Sequence, residues 1–183
     1  MKTEYEKMLA GELYDAGDAQ LMAMRVRTRD LLKEYNQSSY DKVPRRKLLE
    51  DLLGRMGTNT DIQAPFFCDY GMHIEVGDNF FANFNCVFLD CNYIRIGNNV
   101  FLGPNVQLYA GYHPVDAMER IKGPELSRPI IIGDNVWIGG GSIVNAGVTI
   151  GANTTIGAGS VVTKDIPANV VAVGNPCKVL RAL

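Results

Sequence analysis

A six-residue repeat in the C-terminal part of the chain constrains the fold more than any other sequence feature. Seven consecutive units each open with an aliphatic residue or alanine: Ile132, Ile138, Val144, Ile150, Ile156, Val162 and Ala168. A period of six does not match the 3.6-residue turn of an α-helix. Short strands joined by regular corners instead form a coil whose successive turns stack about 4.8 Å apart. The repeat therefore predicts a parallel β-helix with these residues in its core.

The second position of the units is also restricted in residue type. It is occupied by Gly133, Gly139, Asn145, Gly151, Gly157, Thr163 and Asn169. Glycine and asparagine tolerate a positive φ better than other residues do. We therefore expect a repeated corner with positive φ at this second position.

The same repeat begins earlier in the chain and is interrupted twice. Openers in the upstream part are Val76, Ala82, Phe88, Ile96, Leu102 and Leu108, and the frame slips by two residues between Ile94 and Ile96. The slip predicts a small insertion at one corner. Continuing the frame past Leu108 would bury Arg120, and an unpaired buried charge costs several kcal/mol. Residues 114 to 129 are therefore predicted to leave the coil as a loop, and loops of this length are usually functional.

Residues 1 to 58 have a helical pattern and precede the repeat. Asp18 is a suitable N-cap for a helix whose apolar positions follow helical spacing: Leu21, Met24, Leu31, Leu32 and Tyr35. A second helix is predicted from Pro44 to Met56, with proline in its first turn. We therefore divide the chain into an N-terminal helical segment, 1–58, and a β-helix domain, 59–183.

Composition and charge exclude several classes of function. The chain is 46% hydrophobic and 21% charged, with a formal net charge of −2. Its basic residues are not massed in one block, which argues against a nucleic-acid partner. No apolar run approaches the roughly 20 residues that span a bilayer, and the polar N-terminus is unlike a signal peptide. We therefore expect a cytoplasmic protein with no membrane partner.

The cysteines and histidines give no pattern typical of a metal site. The four cysteines form no C-x-x-C pair, and the chain has two histidines, His73 and His113. A structural zinc site is therefore not expected. In a reducing compartment the thiols are interpreted as small buried apolar groups.

His113 is the candidate for chemistry that position alone suggests. It ends a regular unit at the root of the predicted loop, and Pro114 directly follows it. A histidine held there by stiff structure is accessible to a substrate. The alternative is a surface histidine hydrogen-bonded to a loop carbonyl. His73 lies beside an early strand and is interpreted as structural.

Several motifs resemble the maltose and galactoside O-acetyltransferases of the hexapeptide-repeat acyltransferase family, the maltose type most closely. They are MLAGELYDAGDAQL, RTRDLLKEYN, NFFANFNCVFLD, GYHPVD, and the stretch from PIIIGDNVW to NPCKVLR. The resemblance covers nearly the whole chain. It implies a mainly β fold, a left-handed parallel β-helix with an N-terminal helical segment and a protruding loop. It further implies a homotrimer that binds acetyl-CoA between subunits as co-substrate, without a metal.

The resemblance also implies roles on the acceptor side of the site. His113 would be the general base that removes a proton from a sugar hydroxyl, which then attacks the thioester carbonyl. Asn83 would donate to the developing oxyanion or fix the sugar; its alternative is an asparagine ladder at a corner. Asp15, Asp69 and Asp90 would accept hydrogen bonds from sugar hydroxyls. Tyr14, next to Asp15, would help to close the acceptor pocket. For Asp15 and Asp69 a solvated surface position is the alternative.

On the coenzyme side, the resemblance implies contacts along the coil and at its C-terminal end. Small residues at Gly140 and Ala158 would let the pantetheine arm lie against the coil. Basic and polar residues would lie near the nucleotide phosphates: Thr163, Lys164, Lys178 and Arg181. Lysine at 178 replaces an arginine of the galactoside type, which removes bidentate phosphate binding there. The alternative is a solvated basic tail.

There are three alternatives to sugar acetylation. A metal-dependent carbonic anhydrase on the same coil would use three histidines, and this chain has two. A non-catalytic assembly protein would not need His113, Asn83 and the basic ending together. The same chemistry could serve another acceptor, such as a galactoside, a lipid-linked or other oligosaccharide, an amino acid or an antibiotic, because the fold does not specify the acceptor.

Overall fold

A computed structural model of the chain describes residues 1–39 and 42–183, and its main body is a parallel β-solenoid. Strands are numbered in chain order and form three parallel sheets. The first sheet contains β1 (Arg55–Met56), β4 (Ile74–Val76), β7 (Ile94–Ile96), β12 (Ile130–Ile132) and β15 (Thr149–Ile150). The second contains β2 (Asp61–Ile62), β5 (Phe81–Ala82), β8 (Phe101–Leu102), β13 (Trp137–Ile138), β16 (Thr155–Ile156) and β18 (Val170–Val173), with β19 (Lys178–Ala182) antiparallel at its edge. The third contains β3 (Phe66–Cys68), β6 (Cys86–Leu89), β9 (Gln107–Tyr109), β14 (Ile143–Asn145) and β17 (Val161–Val162).

The predicted openers form the core of this solenoid. Ile96 lies opposite Ile132 in the first sheet, and Ile132 lies opposite Ile150. All of the upstream openers and those from Ile132 to Val162 are buried. Ala168 is the exception, because it is exposed and Ile166 stacks on Ile150 in its place. The last unit therefore begins at Ile166, four residues after Val162 rather than six.

The positive-φ corner lies at the fourth position of the units rather than the second. In the units that open at Ile132 and Ile138, the residues with positive φ are Asn135 (58°) and Gly141 (71°). The second-position glycines have another role. A Cβ at Gly139 would lie 2.5 Å from the backbone nitrogen of Ala158 in the next turn. These glycines are therefore required by the close approach of stacked backbones.

The corners between the first and second sheets carry a ladder of asparagines. Each side-chain amide nitrogen donates to the amide oxygen of the asparagine one turn along, over distances of 2.8 to 3.0 Å. The members are Asn59, Asn79, Asn99, Asn135, Asn153 and Asn169, and all have positive φ. We call these corners the asparagine edge. The side-chain amides there are hydrogen-bonded to one another along the ladder.

The N-terminal segment packs against the early turns of the solenoid. Its helices are α1 (Glu4–Ala10), α2 (Ala19–Gln37) and α3 (Lys42–Leu52). The predicted cap is confirmed, since the Asp18 carboxylate accepts from the backbone of Gln20 and Leu21. Helix α3 ends at Leu52, not at the predicted Met56, because Arg55 and Met56 already pair with β4. The solenoid thus begins inside the predicted helical segment 1–58. Tyr40 and Asp41 lie outside the described residues.

The segment between β9 and β12 leaves the coil, as predicted. Its root is a hairpin of β10 (Gly111–Tyr112) and β11 (Leu126–Ser127), and its tip contains the short helix α4 (Ala117–Arg120). Strand β7 pairs directly with β12, so the coil continues beneath the loop. Arg120 is exposed, as the loop prediction required, whereas Pro114 is buried within the loop.

Candidate active site

Two edges of the solenoid, one on each side of the third sheet, carry most of the predicted site residues. The glycine edge joins the second sheet to the third and comprises 83–85, 103–105, 139–142 and 157–160. The loop edge joins the third sheet to the first and comprises 69–73, 90–93, 110–129, 145–147 and 163–165. Strands of up to four residues separate the two edges, a distance of about 13 Å.

The predicted residues divide between these edges, so one chain does not bring them together. The loop edge carries Asp69, Asp90, His113, Thr163 and Lys164. The glycine edge carries Asn83, Gly140 and Ala158. Asp15 lies in the N-terminal segment, and Lys178 and Arg181 lie on β19.

His113 follows β10 directly and its side chain is exposed. Among the described residues, none forms a hydrogen bond with its imidazole, so the alternative of a carbonyl-bonded surface histidine is not the arrangement found. The chain after it is well ordered by local bonds. The Asp116 carboxylate caps α4, and the Arg120 guanidinium donates to the carbonyls of Pro114 and Val115 at 3.1 and 3.0 Å. The imidazole is thus held on a braced loop and is open to a ligand.

The root of the loop is fastened to the N-terminal segment. The Asn92 amide donates to the carbonyls of Met8 and Leu9 and to the Ser127 hydroxyl, and the Ser127 hydroxyl itself donates to the Met8 carbonyl. Asn92 and Ser127 are both buried. The hairpin that carries His113 is therefore anchored to α1 and not only to the coil.

Asp69 lies in a half-buried polar cluster on the loop edge. The Cys91 thiol donates to Asp69 Oδ2 over 3.6 Å, and burial raises the pKa of the Asp69 carboxyl. Tyr14 and Tyr70 pack with Cys91 in a buried cluster beside it, and the Arg25 guanidinium donates to the Tyr70 hydroxyl at 2.7 Å. Asp69 is positioned to accept a hydrogen bond from a hydroxyl that approaches this edge.

Asp90 does not have the exposure expected of a sugar ligand. It is fully buried, and its Oδ1 accepts from the backbone amides of Asp69 and Tyr70 at 2.9 Å each. Burial raises the pKa of this carboxyl to about 7, although those backbone donors oppose the shift. The contacts of Asp90 support a role in shaping the turn that presents Asp69. This corrects the expectation that Asp90 itself contacts the acceptor.

His73 has the structural role expected of it. The ring is buried, with Nδ1 at 2.7 Å from the Asp90 carbonyl and Nε2 at 3.1 Å from the Tyr5 hydroxyl. Burial lowers the pKa of this imidazole. His73 therefore joins α1 to the loop edge as a neutral group.

Asn83 stands apart from the asparagine ladder, so that alternative for it is wrong. Its Oδ1 accepts from the backbone amide of Phe84 at 2.8 Å, which fixes the plane of the side chain. The amide nitrogen forms no hydrogen bond with the described residues. A half-exposed NH₂ group with a fixed orientation is a suitable donor for a ligand oxygen.

Small residues line the glycine edge below Asn83. The Gly141 amide donates to the Pro104 carbonyl at 2.8 Å, and the Gly159 amide donates to the Gly140 carbonyl at 2.9 Å. Ala158 is exposed on the next turn. Successive turns thus present a shallow edge on which an extended chain can lie.

The basic residues are exposed, and their positions differ. Thr163 and Lys164 lie on the loop edge, whereas Lys178 and Arg181 lie on β19. Within the described part of the chain, Lys164, Lys178 and Arg181 take part in no ion pair with an acidic side chain. Their charges are available to an anionic ligand.

Asp15 lines a polar cleft of about 400 Å³ between the N-terminal segment and the tip of the loop. Its carboxylate accepts from the Gly17 amide at 2.8 Å and is exposed. Lys122 and Pro124 form the opposite wall of this cleft. Asp15 is thus near the loop but lies outside the Asp69 cluster.

Two features of the loop edge were not predicted from the sequence: the hydrogen bond from Cys91 to Asp69 and the contact between Tyr14 and Glu125. Tyr14 and Glu125 pair through both backbone amides, and the Tyr14 hydroxyl donates to Glu125 Oε2 at 2.7 Å. For Cys91 a signal was present, because the frame slip near Ile94 and the extruded loop both fall on one edge of a three-sided coil, whereas the Tyr14–Glu125 contact has no periodic signal. Insertions at the same phase of a repeat lie together in space.

Neither a metal-binding cluster nor a membrane-spanning helix is found among the described residues. No cluster of three or more histidine, cysteine, aspartate or glutamate side chains is arranged to hold a metal ion. No described helix combines the length and apolar character needed to cross a membrane.

Comparison with known proteins gives matches over the whole chain. Residues 7–57 match the maltose acetyltransferase hexapeptide capping motif, and residues 129–164 match the bacterial transferase hexapeptide of six repeats. The galactoside O-acetyltransferase of Escherichia coli is 44% identical over 97% of this chain and 88% of its own length.

Two solved structures are similar to this one throughout. A maltose O-acetyltransferase from Clostridium difficile has a TM-score of 0.98 and 51% identity, covering 100% of this chain and 98% of that one. A hexapeptide-repeat acetyltransferase from Vibrio cholerae, solved with acetyl-coenzyme A, has a TM-score of 0.93 and 41% identity, covering 100% and 99%.

Proposed function

The chain belongs to the maltose and galactoside O-acetyltransferase family of hexapeptide-repeat acyltransferases, and from this premise we propose that it acetylates a hydroxyl of a small sugar. Acetyl-CoA is the donor and His113 is the general base. The observation that carries the proposal is an exposed imidazole with no hydrogen-bond partner among the described residues, held on a braced loop.

The reaction needs one base and one donor for negative charge. His113 takes the proton from the acceptor hydroxyl as its oxygen attacks the thioester carbonyl. The C–S bond then breaks, and the thiolate of CoA takes the proton that the imidazole holds. The Asn83 amide donates to the carbonyl oxygen while it carries negative charge. The products are an acetyl ester and free CoA.

The position of Asn83 favours a site shared between two subunits. It lies on the glycine edge, across the third sheet from the loop edge that carries His113. One copy of the chain therefore supplies the base and a neighbouring copy supplies the amide, in a homotrimer of the family type. Exposed apolar side chains on the second sheet, Phe101 and Trp137, which lie opposite each other on adjacent strands, suit a subunit contact.

The coenzyme would follow the glycine edge toward the C-terminal turns. The pantetheine arm passes Gly140 and Ala158, where small residues permit contact with the backbone. Thr163 and Lys164 would reach the nucleotide end from the loop edge of the neighbouring copy, and Lys178 and Arg181 would reach it from β19. The phosphate charges of the nucleotide need cationic partners. The four cysteines are all free, which fits the reducing cytoplasm as the site of the reaction.

The acceptor would lie against the loop edge. Asp69 accepts from one sugar hydroxyl, and Asp15 reaches the sugar from the N-terminal segment. Asp90 holds the Asp69 turn in place. The relatives named for maltose and for galactosides support a sugar in this position.

The first test is release of free CoA from acetyl-CoA, followed with a thiol reagent while glucose, maltose and a galactoside are offered in turn. We expect release with at least one sugar, and we expect His113→Ala to lower kcat about 10²- to 10⁴-fold because the general base is lost. The same screen includes an amino acid and an aminoglycoside, so a different acceptor would be recognised.

The variant must keep its assembly for this test to be informative. Size-exclusion chromatography and thermal unfolding of His113→Ala should match the parent protein, because the side chain is exposed. Near-normal turnover by an intact His113→Ala protein would show that another group is the base. Absence of release with every acceptor would contradict the proposed function itself.

A further inference from the structure

The contact between Tyr14 and Glu125 joins the N-terminal segment to the loop that carries His113. Its two backbone hydrogen bonds, Tyr14 N to Glu125 O and Glu125 N to Tyr14 O, measure 3.1 and 3.0 Å. The third bond runs from the Tyr14 hydroxyl to Glu125 Oε2 at 2.7 Å. A hydrogen bond to a charged acceptor is stronger than one between neutral groups.

Tyr14 is the fixed side of this contact. Its side chain is 2% exposed and packs with Met8, Leu21, Tyr70 and Cys91. Burial raises the pKa of the phenol, so the hydroxyl is protonated and can donate at neutral pH. The tyrosine thus offers a packed, well-fixed hydrogen-bond donor to the loop.

Glu125 is connected to His113 through the hairpin. Tyr112 is paired with Leu126. His113 directly follows Tyr112 in the chain, and Glu125 directly precedes Leu126. The pairing of the hairpin ends at Tyr112 and Leu126, so His113 and Glu125 each lie one residue beyond its last pair. A displacement of Glu125 is therefore passed to His113 with no flexible linker between them.

We propose that Tyr14 and Glu125 are positioning residues that fix the placement of the catalytic loop. Glu125 acts through Tyr14 and holds the hairpin, and it is not the charge partner of the His113 imidazole. The inference rests on the proposed role of His113. It assigns the N-terminal segment an indirect part in catalysis, because Tyr14 in that segment donates the hydrogen bond that holds the loop.

We call the three hydrogen bonds between Tyr14 and Glu125 the latch. Two variants distinguish this latch from a role of Glu125 as the charge partner of His113. Tyr14→Phe removes one hydroxyl and keeps the packed ring, and we expect kcat to fall about tenfold while KM for acetyl-CoA stays unchanged, since small misplacement of a catalytic group is costly. Glu125→Gln keeps an oxygen that accepts from Tyr14. It should therefore retain most of kcat and leave the pH profile of activity in place.

The pH profile is the decisive readout for Glu125. The other titratable groups that interact with its carboxylate are Tyr14, Cys91 and Asp69. If Glu125 were a charge partner of His113, removing its charge would move the acid limb of the profile to lower pH, because the imidazolium would lose its stabilising anion. Such a shift would overturn the proposal.

A measurement without substrate tests the contact between Tyr14 and Glu125 separately from the enzymatic assignment. Hydrogen–deuterium exchange of the segment 111–127 should be faster in Tyr14→Phe than in the parent protein. Tyr93→Phe is the matched control, because this tyrosine lies on the same edge and its hydroxyl donates to none of the described residues. It should leave both exchange and kcat unchanged.

The outcomes are distinguishable. Faster exchange in Tyr14→Phe without any CoA release by the parent protein would support the latch and contradict the proposed function. Unchanged exchange together with unchanged kcat in Tyr14→Phe would overturn the latch while leaving the role of His113 intact.

Discussion

At the scale of single residues, burial decides which carboxylates can meet a substrate. Asp69 and Asp90 lie one turn apart on the same edge, yet the first is half-buried and the second has no exposed surface. The sequence could show that both are acidic residues near a corner. It could not show that the Asp90 side chain points inward. That direction is set by the backbone amides of Asp69 and Tyr70, which belong to the preceding turn and donate to the carboxylate.

Asp90 should make stability depend on pH in an unusual direction. Burial raises the pKa of its carboxyl from 3.8 to about 7. Between about pH 4 and 7 the folded state therefore holds a proton that the unfolded state releases, and the free energy of unfolding falls as pH rises through this window. The loss amounts to about 4 kcal/mol at most.

The comparison that isolates this effect is with Asp90→Asn, whose side chain cannot ionise. Denaturant unfolding of both proteins at a series of pH values should show the parent losing stability relative to the variant from pH 4 to 7. His73, whose pKa burial lowers, contributes the opposite slope but is present in both proteins. Parallel curves would mean that Asp90 is ionised in the folded protein throughout.

At the scale of elements, the hexad repeat predicted the strands but misplaced the corner. Glycine serves both close backbone approach and positive φ, and the sequence does not say which applies at a given position. Gly139 and Gly141 stand two residues apart in one unit and have these two different roles. The end of α3 was missed for a related reason, because pairing of Met56 with Val76 overrides local helical preference.

The two kinds of glycine should respond differently to alanine. At Gly139 an added Cβ would lie 2.5 Å from the Ala158 nitrogen, so stacked turns must move apart, and we expect a loss of about 3 kcal/mol or more. At Gly159 φ is 71° but no atom lies within 4 Å of the added Cβ, so the expected loss is only about 1 to 2 kcal/mol.

Denaturation midpoints at one protein concentration would measure both losses. Gly159→Ala is the matched control, since it makes the same chemical change one turn away on the same edge. Equal losses at the two positions would contradict the assignment of close approach to Gly139.

At the scale of the whole molecule, the path of the coil places the candidate site on two separate edges. The resemblance named His113 and Asn83 together, and the repeat predicted that both lie at corners. Which corner each one occupies depends on the two-residue frame slip and on the fastening of the loop by Asn92 and Ser127. Neither the fastening nor the Tyr14–Glu125 contact has a periodic signal, so they could not be read from the sequence.

A shared site predicts that two inactive variants restore activity to each other. In mixed forms of the proposed trimer, a site is intact where the loop edge of an Asn83→Ala chain, which keeps His113, meets the glycine edge of a His113→Ala chain, which keeps Asn83. Every mixed trimer contains one such site among its three, so tandem-purified mixed trimers should show about a third of the parent activity. Co-expression with two different affinity tags, tandem purification and the thiol-release assay would measure it.

The control is a mixture of the separately purified variants that has not exchanged subunits, which should stay inactive. Failure of the tandem-purified mixed trimers to recover activity would place both residues on one chain's site.

The stacking of the turns has a consequence for how such a chain can evolve. Asn83 and Ala158 lie three turns apart on the glycine edge, which at about 4.8 Å per turn is about 14 Å. This spacing changes only by whole turns, because a partial insertion is expelled as a loop, as residues 111–129 were. Contacts to an extended ligand along this edge are therefore spaced in whole turns. A longer or shorter acyl carrier would require the gain or loss of a complete repeat, because the spacing cannot change by smaller steps.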